Sequence, residues 1–122
     1  MGTTSFIDLK LWQEAHKFVL LAYKATEVFP KSEMFGLVSQ FRRAAVSIAA
    51  NIAEGYPKKG VNDKLRFYNI SQGSLEECRY YITLSFDLKY IDEKQRSQLF
   101  EQLNSASLLL NSYCKTIHTN NS

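Results

Sequence analysis

Residues that interrupt helices are rare in this chain and stand in a few places. The 122 residues include two prolines, Pro30 and Pro57, and five glycines. An all-β fold needs a turn about every 8–12 residues, and this sequence has too few turn residues for that. With 45% hydrophobic and 22% charged residues, the composition is typical of a globular domain. The sequence therefore predicts an all-α fold.

Apolar residues recur every three or four positions in four separate runs, which is the spacing of amphipathic helices. Ser32 and the pair Asp92 and Gln95 are typical of helix N-termini. Gly55, followed by Pro57, is typical of a helix C-terminus. Because the connections are short, consecutive helices should run antiparallel. We expect one domain, residues 1–122, folded as an up-down-up-down four-helix bundle with helices at roughly 8–29, 33–54, 61–89 and 93–118.

The third predicted helix carries more apolar residues than one face of a bundle helix requires. These residues form two sets, so one set is left for a second contact. One helix in a small bundle needs only one such set. The first set is Leu65, Tyr68, Leu75, Ile82 and Phe86, and the second is Phe67, Ile70, Cys78, Tyr81 and Leu88.

Positive charge is concentrated in one connection. The formal net charge is +3, and the segment from Tyr56 to Arg66 holds four cations against one acid. Cations beside aromatic rings fit contacts to a nucleic-acid backbone, but in a single copy a solvated loop is the simpler interpretation. Repetition in an oligomer would strengthen the field and favour binding. The candidate contacts are Arg42, Arg43, Lys58, Lys59, Lys64 and Arg66, with Tyr56, Phe67 and Tyr68 as stacking rings.

No arrangement of residues typical of catalysis or metal binding is found in the sequence. His16 and His118 stand without a nucleophile or ligand at the required spacing, and we expect His16 at an edge of the core. Glu76 and Glu77 are adjacent, so on a helix they point about 100° apart. Ser74 lacks the glycines of a nucleophile elbow. We therefore expect no enzyme activity, no metal and no cofactor.

The two cysteines and the N-terminus suggest where the protein acts. Cys78 and Cys114 lie in apolar helical patterns without a CxxC or Cys/His cluster, which is typical of reduced, buried thiols in a cytosolic protein. The first residues lack a charged segment followed by an apolar one, and no run of about 18 apolar residues occurs. We expect a cytoplasmic protein without a membrane partner.

A polar line borders a line of small residues on the second predicted helix. It is either a binding surface or a set of hydrogen bonds inside the bundle that fix how the helices pair. We favour the second, because a satisfied internal network needs no partner. Gly73 in the third helix costs about 1 kcal/mol relative to Ala, and we expect a close helix contact to offset it. The polar line is Ser47, Asn51 and Glu54, and the small residues are Ala45, Ala49 and Ala53.

An ordered series of residues extends over most of the chain, from about Phe6 to Ile117. Its segments are Phe6-x-Asp8-Leu9-x-x-Trp12-x-x-Ala15, Tyr23-x-x-Thr26-x-x-Phe29-Pro30-x-x-Glu33-x-x-Gly36-Leu37, Gln40-x-Arg42-Arg43-Ala44-x-x-Ser47-Ile48-x-x-Asn51-Ile52-Ala53-Glu54-Gly55 and Phe67-x-x-Ile70-x-x-Gly73-Ser74-x-x-Glu77. The series resembles the small bacterial four-helix bundle proteins first noted as open reading frames within intervening sequences of 23S rRNA genes.

This resemblance carries expectations about assembly and function. It implies an antiparallel four-helix bundle that assembles as a homo-oligomeric ring of five. In such a ring the second apolar set of the third helix would pack against the neighbouring copy. A relative is the accessory variability protein of diversity-generating retroelements, which binds a reverse transcriptase and nucleic acid. Arg42 and Arg43 match the paired cations of the family. The expected function is a non-enzymatic scaffold that binds RNA or DNA. The alternative is a protein-protein assembly module without nucleic-acid binding, such as an accessory subunit of a reverse transcriptase.

Overall fold

The computed structural model describes residues 5–120, and four helices make up most of them. Two short 3-10 turns, Phe6–Asp8 and Lys31–Glu33, precede the first and second helices. No β-strand occurs within residues 5–120, so the predicted all-α fold is confirmed. The helices are α1 (Lys10–Thr26), α2 (Leu37–Gly55), α3 (Val61–Asp87) and α4 (Glu93–Asn120).

The four helices pack as a square in which each contacts two neighbours. Helix α2 packs on α1 and α3, and α4 packs on α3 and α1, while in the described chain no Cα atoms of the diagonal pairs lie within 8 Å of each other. Helices α2 and α3 share the most extensive contact. Short connections make consecutive helices antiparallel, so the predicted four-helix bundle is confirmed.

Each helix buries one face in a continuous core. On α1 this face includes Leu11, Ala15 and Phe18, whereas the predicted edge residue His16 is half-buried and stacks on Trp12, with ring centroids 4.8 Å apart. Since the other faces are polar, none of the described helices is long and apolar enough to cross a membrane. The largest fully buried side chains are Tyr68, Phe18, Phe41, Ile48, Ile52, Leu75, Ile82, Leu103 and Leu110.

Small polar side chains fasten α2 to α3. The Ser74 hydroxyl donates to Ser47 Oγ at 2.8 Å, and Asn51 Nδ2 donates to the Ser47 carbonyl at 2.9 Å. The buried Ser71 hydroxyl donates to the Ile48 carbonyl at 2.8 Å. Ser47 and Asn51 therefore belong to a network inside the bundle. Glu54 is exposed and makes no hydrogen bond to this network in the described residues.

The start of α2 differs from the prediction, whereas the start of α4 agrees with it. Glu33 Oε1 accepts a hydrogen bond from the backbone of Leu37 at 3.3 Å, so α2 begins at Leu37 and Ser32 lies in the preceding turn. The Asp92 N–H donates to Gln95 Oε1 at 2.9 Å, and the Gln95 N–H donates to Asp92 Oδ1 at 2.8 Å. The predicted capping box of α4 is thus confirmed.

Two glycines have roles other than those predicted. Gly55 does not adopt a positive φ, so it is not the left-handed C-terminal residue expected. A Cβ at Gly55 would lie 2.9 Å from the Tyr68 ring and 3.0 Å from the Phe67 Cβ, so glycine is needed where α3 crosses α2. The close contact predicted at Gly73 is wrong for this chain, because a Cβ there would meet nothing within 4 Å.

The predicted second apolar face of α3 is wrong as a continuous surface. Cys78, assigned to the second set, lies in the core with Leu75 and Ile82, because residues three and four apart share a helix face. Of the second set, only Ile70 and Leu88 are exposed, each 44%. They are 18 positions apart, about 27 Å along a helix, so α3 offers isolated apolar residues and no second face.

Candidate nucleic-acid interface

The structure divides the six predicted cations between two places. Arg42 and Arg43 lie near the start of α2, at the end of the bundle that holds the α1–α2 connection. The other four lie in or just after the α2–α3 connection, at the opposite end. Arg43 and Tyr56 are separated by about 20 Å of helical rise. The six cations do not form one surface.

Arg42 is part of the fold. Its Nε donates to the Thr26 hydroxyl at 2.8 Å, and one terminal nitrogen donates to the Tyr23 carbonyl at 3.2 Å. Its guanidinium carbon lies 4.5 Å from the centre of the Tyr23 ring. A cation is favourable at the C-terminus of a helix, where carbonyls lack helical partners. Arg42 therefore closes the end of α1 and ties it to α2.

Arg43 is exposed, but acidic and polar groups already surround it. A terminal nitrogen pairs with Glu77 on α3, and Nε donates to Gln40 Oε1 at 3.2 Å. The Tyr81 hydroxyl donates to the same Glu77 carboxylate at 2.8 Å. Burial and this bond raise the pKa of Tyr81. Since Glu77 balances its charge, Arg43 adds little net attraction for a phosphate.

Lys64 is also drawn into the fold. Its Nζ donates to the Tyr56 carbonyl at 2.6 Å and lies 5.9 Å from the centre of the Tyr68 ring. Burial lowers the pKa of its amine, because desolvation disfavours the charged form. Tyr68 beneath it is fully buried, and its hydroxyl has no hydrogen-bond partner in the described chain. Lys64 anchors the α2–α3 connection and is poorly placed to contact a ligand.

The other three cations in or just after the α2–α3 connection are Lys58, Lys59 and Arg66, and two of them contact one aromatic ring. Lys58 Nζ lies 5.3 Å from the centre of the Phe67 ring, and the Arg66 guanidinium carbon lies 4.7 Å from it. Arg66 also pairs with Asp63 at 2.9 Å. Lys59 is exposed and forms no ion pair within residues 5–119. Lys58 and Arg66 thus lie on the half-buried Phe67, and Lys59 follows Lys58 in the same connection.

Helix α4 adds a cation that the sequence reasoning missed. Lys115 and His118 line a shallow cleft of about 280 Å³ together with Leu65 and Asn69 of α3. In an antiparallel bundle the last turns of α4 return to the end that holds the α2–α3 connection. The predicted topology could therefore have placed Lys115 near the other cations. We call Lys58, Lys59, Arg66 and Lys115, with Phe67, the basic end.

The basic end has no feature of a metal centre. Within the described residues, no group of three or more His, Cys, Asp or Glu side chains is placed to hold a metal ion. Both cysteines are free, and burial raises the pKa of each thiol, that of Cys78 to about 12. The groups available to a ligand are therefore ammonium and guanidinium cations and the edge of an aromatic ring.

Known proteins resemble this chain in sequence and in fold. The family model of the 23S rRNA-intervening sequence protein matches residues 7–112. The crystal structure of a protein of unknown function from the S23 ribosomal protein family of Bacteroides thetaiotaomicron superposes with a TM-score of 0.77. It is 23% identical, and the match covers 86% of this chain and 98% of that one. At this identity the likeness shows the fold alone. No curated protein matches the chain.

Proposed function

This chain belongs to the 23S rRNA-intervening sequence protein family, and from that premise we propose that it is a non-enzymatic, homo-oligomeric scaffold that binds RNA through its basic end. The observation that supports this proposal is the grouping of Lys58, Lys59 and Lys115 without an ion pair among the described residues. Arg66 adds a fourth cation beside Phe67. Cations of this kind neutralise phosphates and release counterions, and an adjacent ring adds stacking.

Assembly strengthens the proposed binding. One basic end offers few phosphate contacts, so a single copy would bind weakly. Identical copies bring several basic ends to one RNA and raise the overall affinity by avidity. The resemblance implies a ring of five, and we adopt a homo-oligomer in the bacterial cytoplasm as part of the proposal.

A protein-protein assembly module without RNA binding is the second candidate function. It is favoured by the exposed apolar residues at the other end of the bundle, where Phe35 is 91%, Val28 75% and Met34 53% exposed. We call these three residues, in or beside the α1–α2 connection, the apolar end. Apolar residues grouped at a surface mark protein contacts. An enzyme partner such as a reverse transcriptase belongs to this candidate.

Binding of a structured RNA, measured by fluorescence anisotropy over a range of salt concentrations, separates the two functions. We expect binding to weaken steeply with salt, by about 0.9 logarithmic units in affinity per logarithmic unit of salt for each duplex phosphate neutralised. Replacing Lys58, Lys59, Arg66 and Lys115 by Gln should lower the affinity at least tenfold and flatten the slope. The matched control replaces three lysines and one arginine outside the basic end, Lys17, Arg79, Lys89 and Lys94, by Gln.

The control should change the affinity less than threefold. Equal losses from both variants would mean that only net charge matters, and would overturn the assignment to the basic end. Absence of RNA binding by the wild-type protein at low salt would leave the assembly module as the function.

A further inference from the structure

The cleft between α3 and α4 opens beside the basic end and combines an apolar floor with a polar rim. Its volume is about 280 Å³. Leu65 and Cys114 are half-buried, whereas Asn69, Lys115 and His118 are exposed. The less exposed part of the lining is therefore the apolar part. The lining consists of Leu65, Asn69 and Gln72 of α3 and Cys114, Lys115 and His118 of α4.

Two amides on the rim have hydrogen-bonding groups that the fold does not use. Asn69 makes no hydrogen bond in the described chain. Gln72 Nε2 donates to Asn111 Oδ1 at 2.9 Å, which leaves the Gln72 carbonyl oxygen as an acceptor. An apolar side chain of another protein would cover these groups and leave them unpaired, at a cost in free energy. The rim therefore fits a ligand with donors and acceptors of its own.

The charges around the cleft favour an anionic ligand. Lys115 lies in the lining and forms no ion pair within residues 5–119. Arg66, next to Leu65 in the chain, adds a second cation, part of whose charge Asp63 offsets. Among the described residues that line the cleft, none is an Asp or a Glu. A nucleotide combines the required features, because its base has apolar faces and a polar edge and its phosphate is negative.

Arg66 connects the cleft to the aromatic ring of the basic end. Successive residues of a helix point about 100° apart, so Arg66 lies between the side of α3 that carries Leu65 and the side that carries Phe67. The Arg66 guanidinium carbon lies 4.7 Å from the centre of the Phe67 ring. One strand of RNA that crosses α3 would therefore meet the cleft, Arg66 and the Phe67 ring in turn.

We propose that the α3–α4 cleft takes one unpaired base of a bound RNA. Asn69 and Gln72 bond to the edge of the base, and Lys115 and Arg66 contact the phosphates on either side of it. In an A-form duplex the bases are stacked, and protein contacts are mostly to the backbone and the 2′-hydroxyls. Only an unpaired base can enter the cleft. The inference rests on the RNA binding in the proposed function and names the class of RNA, one with a bulge or a loop.

Fluorescence anisotropy with two labelled RNAs at low salt tests this preference. One is a blunt duplex with a single bulged nucleotide, and the other is the same duplex with that nucleotide deleted. We expect the wild-type protein to bind the bulged duplex about tenfold more tightly, which is the effect of one bound base. Asn69→Leu should abolish the preference and leave the affinity for the paired duplex unchanged, because no cation is lost.

The matched control is Gln98→Leu, which removes an exposed amide at the other end of α4 and should retain the preference. Asn69 and Gln98 are both exposed, so both variants should fold. A second measurement needs no variant. 4-Thiouridine at the bulged position should crosslink on irradiation, and mass spectrometry should locate the adduct within residues 65–72 or 114–118.

A free nucleotide is the other source of the same chemistry. Uridine monophosphate at the concentration of the RNA should not compete with the bulged duplex, because it offers one phosphate and cannot reach the rest of the basic end. Competition as strong as that of the unlabelled RNA would assign the cleft to a free nucleotide and overturn the inference. Equal affinities of the wild-type protein for the two duplexes, or adducts confined to the α2–α3 connection, would overturn it while RNA binding by the basic end stands. A wild-type protein that binds neither duplex would overturn both.

Discussion

The two ends of the bundle use aromatic residues in opposite ways. At the basic end, Lys58 and Arg66 lie 5.3 Å and 4.7 Å from the centre of the Phe67 ring, and Tyr68 is fully buried. At the apolar end, Phe35 is 91% exposed and Met34 beside it 53%. A half-buried ring such as Phe67 supports cations at a polar surface, whereas an exposed ring in a turn, such as Phe35, is suited to a contact that excludes water.

The two ends of the bundle also differ in whether their cations bond to the rest of the fold. Near the apolar end, the Arg42 side chain donates hydrogen bonds to Thr26 and Tyr23 within the fold. At the basic end, the side chains of Lys58 and Lys59 make no hydrogen bond in the described chain. The stability of the fold therefore depends on Arg42 near one end and little on most of the cations at the other end. This difference separates residues that hold the bundle together from those free to bind.

The largest expected effect is on Arg42. Arg42→Ala removes two hydrogen bonds from a cation and leaves the end of α1 without its partner, which should lower the free energy of unfolding by about 3 kcal/mol. Arg43→Ala, the adjacent control, breaks only an exposed pair and should cost about 1 kcal/mol or less. Urea denaturation measures both. Equal losses would mean that Arg42 is no more structural than its neighbour.

Gly55 should tolerate substitution less well than Gly73. Gly55→Ala places a Cβ within 3.0 Å of Tyr68 and Phe67, and this overpacking should cost about 2 kcal/mol of stability. Gly73→Ala meets nothing within 4 Å and should gain up to about 1 kcal/mol from helix propensity. Thermal denaturation compares the two. A stabilising Gly55→Ala would contradict the packing described for the basic end.

Within residues 5–120, one non-glycine residue has a positive φ, and it lies at the apolar end. Lys89 has a φ of +67° at the end of α3, where the Tyr90 N–H donates to the Ser85 carbonyl at 2.9 Å. A left-handed conformation costs a non-glycine residue about 1 kcal/mol, so Lys89→Gly should stabilise the protein by that amount. Lys89→Ala keeps the strain and should give no gain in chemical denaturation. A gain from Ala as large as that from Gly would contradict this account.

The smallest expected effect is the dependence of stability on alkaline pH. Burial raises the pKa of Tyr68, whereas a hydrogen bond to Glu33 raises that of Tyr90. The folded protein then holds the Tyr68 proton more tightly than the unfolded chain, so stability is constant well below the ordinary pKa of 10.0 and falls above it. For Tyr68 the loss at pH 10 is about 0.4 kcal/mol. Tyr68→Phe should remove this loss when the free energy of unfolding is measured by urea denaturation between neutral pH and pH 10. An equal decline in the wild-type protein and in Tyr68→Phe would contradict this prediction.

The helices follow from local signals, and for that reason the sequence predicts them well. Apolar spacing and the Asp92 and Gln95 pair depend on residues a few positions apart, and the structure has both. The role of Arg42 depends on Thr26, which is 16 positions away on another helix. Lys115 joins the basic end only because α4 returns antiparallel to α3. Such long-range partners leave no local pattern.

Besides long-range partners, the exposure of individual apolar residues cannot be predicted from the sequence. Phe35 in a turn and Leu88 at a helix end have the same chemical character whether buried or exposed, and only the packed bundle distinguishes them. For the same reason the sequence predicts Cys78 and Tyr81 on a second face of α3, whereas Cys78 lies in the core and Tyr81 packs against it. The grouping of cations at the basic end, by contrast, was visible in part because four of them are close in sequence.

Sedimentation velocity with a fluorescent RNA tests most directly whether the two ends have separate functions, because one run reports mass and binding together. The variant with Gln in place of Lys58, Lys59, Arg66 and Lys115 should keep the wild-type mass and bind RNA at least tenfold more weakly. Phe35→Ser should lose mass and still bind RNA at low salt. Loss of both properties in both variants, or undiminished RNA binding by the first, would contradict the division of roles between the basic end and the apolar end.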